Sequence, residues 1–188
     1  MISQLDDQTS GVVFGEVAQQ GLLQTPWIGS NAWDNAAWFK SVGAKVAAGP
    51  ITIIDSGSAG LTGTAAFTAL VQAKYNTALA GSGAIFMYDG VTTWALGADV
   101  AGTTSWPQVL NGIMKAANPP GTTCSSYAEC LPLVKAGTDI NWSGAASTVD
   151  FDQYHNVYGP FAAVHFDAAG NSSLIADIPA DQIQAAFK

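Results

Sequence analysis

The chain reads as an α/β protein, and three observations carry that reading. Short runs of β-branched and aromatic residues alternate with helical patterns along most of its length. The closing stretch turns to strands, and 48% of the 188 residues are hydrophobic against 11% charged. Strand–helix alternation argues for a sheet covered by helices, and this apolar content is enough for a real core.

Taken in order, residues 1–8 read as the end of a strand and a loop. Gly11 to Gly21 is expected to be a helix, with Val12, Val13, Val17 and Leu22 on one side and Gly21 as its stop. Pro26-Trp27-Ile28-Gly29 reads as a short buried strand, followed by the loop Ser30–Asp34 and a helix from Asn35 to Val42. Ile51-Thr52-Ile53-Ile54 is a β-branched strand bounded by Gly-Pro and Ser-Gly. Glycine and serine between 56 and 63 read as a mobile connection, and Thr64 to Tyr75 is helical by the spacing of Phe67, Leu70, Val71 and Lys74. Ala84 to Val100 is a helix almost free of charge, which predicts burial on most sides. Ser105 to Ala117 is expected to open on a serine cap with Pro107 in its first turn. Ser126 to Ala136 forms a helix stopped by Gly137. Strands are then predicted over Thr148–Phe151, Phe161–Phe166 and Ser173–Ile178, the last two joined by a turn over 167–171. No internal repeat is apparent.

Composition narrows the function. Fourteen acidic residues stand against six lysines and no arginine, for a net charge of −8. Lacking the guanidinium fork that grips phosphate, such a chain is not expected to bind nucleic acid or an anionic membrane surface. No run of about 18 apolar residues exists, so no transmembrane helix is expected. The opening MISQLDDQ carries no basic or apolar leader pattern, so no signal peptide is expected within it. Cys124 and Cys130 are the only cysteines. Their spacing fits neither a redox CxxC pair nor a zinc site. A disulfide from the cap loop into the first turns of a helix fits better and implies an oxidising compartment, two unrelated free thiols being the other reading.

Four stretches, in order, resemble the type I periplasmic binding proteins, in particular the leucine/isoleucine/valine-binding-like substrate-binding proteins of ABC importers. They are QQGLLQTPWIGSNAWDN, FTALVQAKYN, AIFMYDGVTTWALGADVAG and GTTCSSYAECLPLVKAGTDINWSGAASTVDFD. The resemblance implies parts of two Rossmann-like lobes that close on a small polar solute, and a membrane permease as partner. It also implies an incomplete fold. Residues 1–83 would be the later part of the second lobe, 84–155 the returning part of the first, and 156–188 the hinge crossover and β tail. The expectation is therefore a non-enzymatic solute trap, periplasmic or at the cell surface, in which the first-lobe serine/threonine loop is missing. A GxG phosphate loop is missing too, and no cofactor or metal is expected.

Ligands in open α/β sheets sit at the carboxyl ends of strands. Two loops have that placement: Asp6-Asp7-Gln8 after the first strand and Ser30–Asp34 after the second. In amino-acid-binding relatives the second loop offers an acid to the ligand ammonium. The matching position here is the neutral Asn31, with Asp34 three residues on as a substitute and Trp33 placed to stack on a ligand. The departure leaves amides and other neutral polar solutes open beside amino acids. Turn and cap chemistry alone also explains Asp6, Asp7, Asn31 and Asp34. Tyr88 and Asp89 read as packing residues, and His155 and His165 as structural histidines. Asp150 and Asp152 read as a solvated strand face, although a small secreted hydrolase using them is an alternative. No G-x-S-x-G elbow is present. A further alternative is a structural module that self-associates through the exposed edges of incomplete lobes.

Overall fold

The structure is a computed structural model describing residues 2–3, 5–57, 61–77 and 82–187, with the backbone alone at residues 2, 3, 7 and 82. In chain order, the first elements are β1 (Ile2–Ser3), α1 (Asp7–Gln19), β2 (Trp27–Ser30), α2 (Ala36–Val42), α3 (Ala44–Ala47) and β3 (Ile51–Ser56). Next come α4 (Thr62–Tyr75), α5 (Ser82–Ala101), α6 (Gln108–Ala117), β4 (Thr122–Cys124) and α7 (Tyr127–Lys135). The chain ends on β5 (Ile140–Trp142), β6 (Phe161–Phe166), β7 (Ser172–Ile178) and α8 (Ala180–Ala186). The connection expected over 56–63 lies partly outside the described residues. Two compact units result: residues 1–57 with 161–178, and residues 58–160 with 179–188.

The first unit is built on a five-stranded sheet in the order β1-β2-β3-β6-β7. β1, β2 and β3 run parallel, with Ile2 opposite Ile28 and Ile28 opposite Thr52, while β6 and β7 are antiparallel. Alternation along β2 and β3 sends Trp27, Ile51 and Ile53 into a core with Phe14, Trp33, Trp38, Val46, Val164 and Phe166. Trp33 and Trp38 stack with ring centroids 5.3 Å apart, and Phe14 meets Trp33 edge-on at 5.4 Å. Aromatic pairs of this kind add about 0.5–1.5 kcal/mol each beyond the area they bury. The turn after β6 forms as expected: the Asp167 carboxylate accepts from the N–H groups of Ala169 and Asn171 and from Asn171 Nδ2.

The second unit is mainly helical around a short parallel pair, β4 and β5. α5 and α6 approach closely because Gly97 and Gly112 face each other's helix: a Cβ on Gly112 would overlap the Gly97 carbonyl, and one on Gly97 would overlap Ile113. Ser126 caps α7 by accepting from Glu129 N at 3.2 Å, and the Glu129 carboxylate answers by accepting from Ser125 N at 2.8 Å. Gly137, at φ +75°, ends the helix, its N–H donating to Val134 O. The disulfide forms: Cys124 at the end of β4 is joined to Cys130 in α7, with Cα atoms 5.4 Å apart. α4, which the sequence placed with the earlier segment, packs within this unit through Thr64 Oγ1, which donates to Ala145 O at 2.6 Å.

Three expectations need correction. Ser105 does not cap α6; the helix begins at Gln108 and Pro107 occupies the cap position, so the serine lies too far upstream. Thr148–Phe151 is no strand. Val149 has φ +58°, which breaks an extended run, and only Phe151 bridges to Val157. α5 is not buried on most sides, since Phe86, Met87, Val91 and Trp94 are all exposed.

Candidate functional site

Because β1, β2 and β3 are parallel, the loops that follow them emerge at one edge of the first unit's sheet. Asp6 leads from β1 into α1. Its Oδ1 accepts from Gln8 N at 3.0 Å and Thr9 N at 2.7 Å, and its Oδ2 from Thr9 Oγ1 at 2.8 Å. The Thr9 N–H and hydroxyl hold its carboxyl below the usual carboxylate range, so it is the anionic N-cap of α1. Asp7 opens α1, and its side chain lies outside the described ones.

The loop after β2 is a 3₁₀ turn, Asn31–Trp33. Trp33 is fully buried, and its Nε1–H donates to Leu5 O at 2.7 Å, tying this loop to the one after β1. A Cβ at position 29 would overlap the Trp33 ring, so only glycine lets the indole fold back under the edge. The ring that the sequence offered as a stacking surface for a ligand is thus buried as a brace of the edge. Asn31 is exposed and Asp34 half-buried. The cap of α2 is Asn35 rather than Asp34: its Oδ1 accepts from Trp38 N at 2.8 Å and its Nδ2 donates to Ala32 O at 2.7 Å. The third strand adds Asp55, whose carboxylate accepts from Ser56 N at 2.6 Å. Sequence reasoning missed it, although an Asp-Ser pair ending a β-branched run was the available signal. This edge thus carries the Asp6 and Asp55 carboxylates, each accepting from its own loop, together with the Asn31 amide.

The other residues singled out lie on loops, strands and a helix other than those of this edge. His165 Nδ1 lies 3.0 Å from Ile51 O, and His155 sits in a turn at φ +63°. Asp150 accepts from Thr148 Oγ1 at 2.7 Å, while Asp152 accepts from Tyr154 N, Asn156 N and Tyr158 Oη. Asp89 is a packing residue: its buried carboxylate accepts from Ala145 N and Ala146 N, both at 2.7 Å. Among the described residues, no three His, Cys, Asp or Glu side chains cluster to hold a metal, and no helix is long and apolar enough to cross a membrane.

Apolar clefts run along α5 in the second unit, and two of them are spacious. One, of about 490 Å³, is lined by Phe86, Trp94, Trp106, Ile113, Val149 and Phe151, with Asp89 and Thr93 as its polar members. The other, of about 680 Å³, lies between α4 and α5 and is lined by Phe67, Val71, Tyr75, Met87 and Val91. With almost no polar atoms on their walls, neither suits a charged solute.

A mixed sheet with the loops of its parallel strands gathered at their carboxyl edge, together with a second α/β unit, is the fold of about half a type I periplasmic binding protein. Among solved structures, a leucine-binding protein from Thermotoga maritima matches 96% of this chain with 44% of its own, at TM-score 0.68 and 12% identity. A branched-chain amino acid transporter substrate-binding protein from Streptococcus pneumoniae, in complex with isoleucine, matches at TM-score 0.56 and 16% identity over 95% of this chain and 43% of its own. A fatty acid ABC transporter substrate-binding protein from Thermomonospora curvata matches at TM-score 0.54 and 14% identity over 97% of this chain and 44% of its own. The chain thus spans less than half the length of the structures it resembles. No family profile matches the sequence, and no curated protein matches it.

Proposed function

We propose that the chain is a solute-binding module of the extracytoplasmic, ABC-importer type, and that it binds rather than transforms a small polar solute such as an amino acid or amide. The carrying observation is the Trp33 Nε1–H to Leu5 O bond, which makes the loops after β1 and β2 one braced edge. Asn31 and Asp34 are the contacts of the second loop, Asp6 and Asp7 those of the first, and Trp33 holds the two together. In this reading the first compact unit belongs to the second lobe and the second compact unit to the first. A membrane permease is the downstream partner, and the disulfide supports a periplasmic or cell-surface location.

Calorimetric titration with leucine, isoleucine, asparagine and acetamide tests the proposal. Saturable heat that Asn31→Ala abolishes is the expected result. Absence of saturable heat with all four solutes, or binding indifferent to Asn31→Ala and Asp34→Ala, would sink it. Self-association is the second reading, favoured by the uncovered apolar face of α5.

A further inference from the structure

Three parallel strands end at the braced edge, and the third carries an acid that its own loop leaves half used. The Asp6 carboxylate is spent: as the cap of α1 it accepts from Gln8 N, Thr9 N and Thr9 Oγ1 with both of its oxygens. Asp55 is spent on one side only. Its Oδ1 accepts from Ser56 N at 2.6 Å and Ser56 Oγ at 3.3 Å, and its Oδ2 takes no hydrogen bond among the described residues. A partly buried carboxylate with one oxygen unanswered is costly to keep without a partner.

Strand register fixes where this side chain stands. β2 and β3 are parallel, and the last residues they pair are Ser30 and Ile54. One residue further on come Asn31 and Asp55. Ser30 is extended, at φ −89° and ψ 169°, so the alternation of β2 carries through to Asn31. Along β3, Asp55 follows Ile51 and Ile53, both buried in the core, and across β6 it pairs with Ala162 of that same core. Asn31 follows Trp27 and Gly29 in the same way along β2. With a side-chain period of two and strands about 4.8 Å apart, Asn31 and Asp55 share one face of the edge, one strand apart.

Charge sets what this pair can read. The loops after β1, β2 and β3, residues 4–6, 31–35 and 57–61, hold no lysine, and the chain has no arginine. Nothing in these loops answers a solute's carboxylate, whereas Asp55 answers a cation. A primary ammonium brings it three N–H donors and a full positive charge, and a neutral amide brings two donors and no charge.

We infer that Asp55 is a specificity-determining residue of the solute site and selects solutes that carry a primary ammonium over neutral amides. The inference rests on the solute-binding reading and narrows its two solute classes to one. Calorimetric titration of the full chain tests it with leucine, leucinamide, N-acetylleucine and acetamide, the last two lacking the ammonium. The same titrations are run on Asp55→Asn and Asn31→Ala. Asp55→Asn is nearly isosteric and keeps an oxygen for Ser56 N, so it removes the charge and little else. The expected result is saturable binding of leucine and leucinamide that Asp55→Asn weakens about tenfold to a hundredfold, with N-acetylleucine and acetamide held at least about tenfold more weakly than leucine by the unaltered chain. Binding that Asn31→Ala abolishes and Asp55→Asn leaves unchanged overturns the inference while the solute-binding reading stands. N-acetylleucine or acetamide held as tightly as leucine by the unaltered chain overturns it in the same way, and needs no variant to fold. No saturable heat with any of the four solutes overturns both.

Discussion

Replacing Asp89 by alanine is the sharpest test of how the second unit is held together. The Asp89 carboxylate accepts from Ala145 N and Ala146 N at 2.7 Å each, joining α5 to the segment after β5 across 56 and 57 residues of chain. Hydrogen bonds to a charged group contribute ~1.5–3 kcal/mol apiece, so the pair is worth ~3–6 kcal/mol before the cost of burying the charge. That cost is visible: burial pushes the Asp89 pKa above its ordinary 3.8, against the downward pull of the Ala145, Ala146 and Ser147 N–H groups. The alanine variant recovers the burial cost but strands two N–H donors, and the net loss is about 2–4 kcal/mol. Urea unfolding followed by circular dichroism reads it as a lower midpoint at unchanged slope. The pH dependence gives a second reading. An acid whose pKa is raised by folding adds stability that is full below its unfolded value and is lost as pH rises through the folded one. The wild-type margin over Asp89→Ala should therefore widen on acidification from neutral pH toward pH ~4. A loss under ~0.5 kcal/mol, or a margin that narrows on acidification, would refute the reasoning.

Three further outcomes follow from the same structure. Converting both Cys124 and Cys130 to serine opens a link of sequence separation 6, which loop entropy values at ~2 kcal/mol; an unchanged urea midpoint would contradict this. Gly63→Ala puts a methyl group onto the Gly144 carbonyl and should cost ~1–3 kcal/mol, whereas Gly15→Ala meets nothing within 4 Å and should be neutral or stabilising; equal effects by thermal unfolding would count against the packing described. Asp152 and Asp167 have pKa values lowered from 3.8, chiefly by the Asn156 N–H and the Asn171 side chain respectively. Their stabilisation is present above that value and is lost as pH falls through the folded-state ones, so Asp152→Asn and Asp167→Asn should flatten the fall in stability below pH ~4. An acid limb as steep as the wild type's would disprove it.

What the sequence made legible was what depends on near neighbours. The Ser126 cap, the Gly137 stop and the Asp167 turn all rest on groups within a few residues of one another. β4 and β5 escaped because each is three residues long and exists only through its parallel partner. The alternation at 148–152 misled because Asp150 and Asp152 spend their carboxylates on Thr148, Tyr154, Asn156 and Tyr158, curling the segment instead of extending it. At the candidate site, the position of both loops at strand ends was readable. The fate of Trp33 was not, because the missing Cβ of Gly29, the ring of Trp38 and the Leu5 carbonyl decide it from separate elements.

The pairing of β3 with β6, Ile53 opposite Val164 and Ser56 opposite Phe161, has a consequence for biosynthesis. A nascent chain releases β1, β2 and β3 early, yet β3 keeps an open, β-branched edge until β6 has been translated. Throughout that interval the partial sheet is a template for wrong pairing, the hazard of any unprotected edge strand. Most of the second unit, residues 58–160, is translated within that same interval. Closing a loop costs entropy that rises only slowly with length, and an insert already folded has less disorder left to lose. Vectorial synthesis thus delivers α4 to α7 before the strand that seals β3, and α8 completes the second unit only after the sheet has closed.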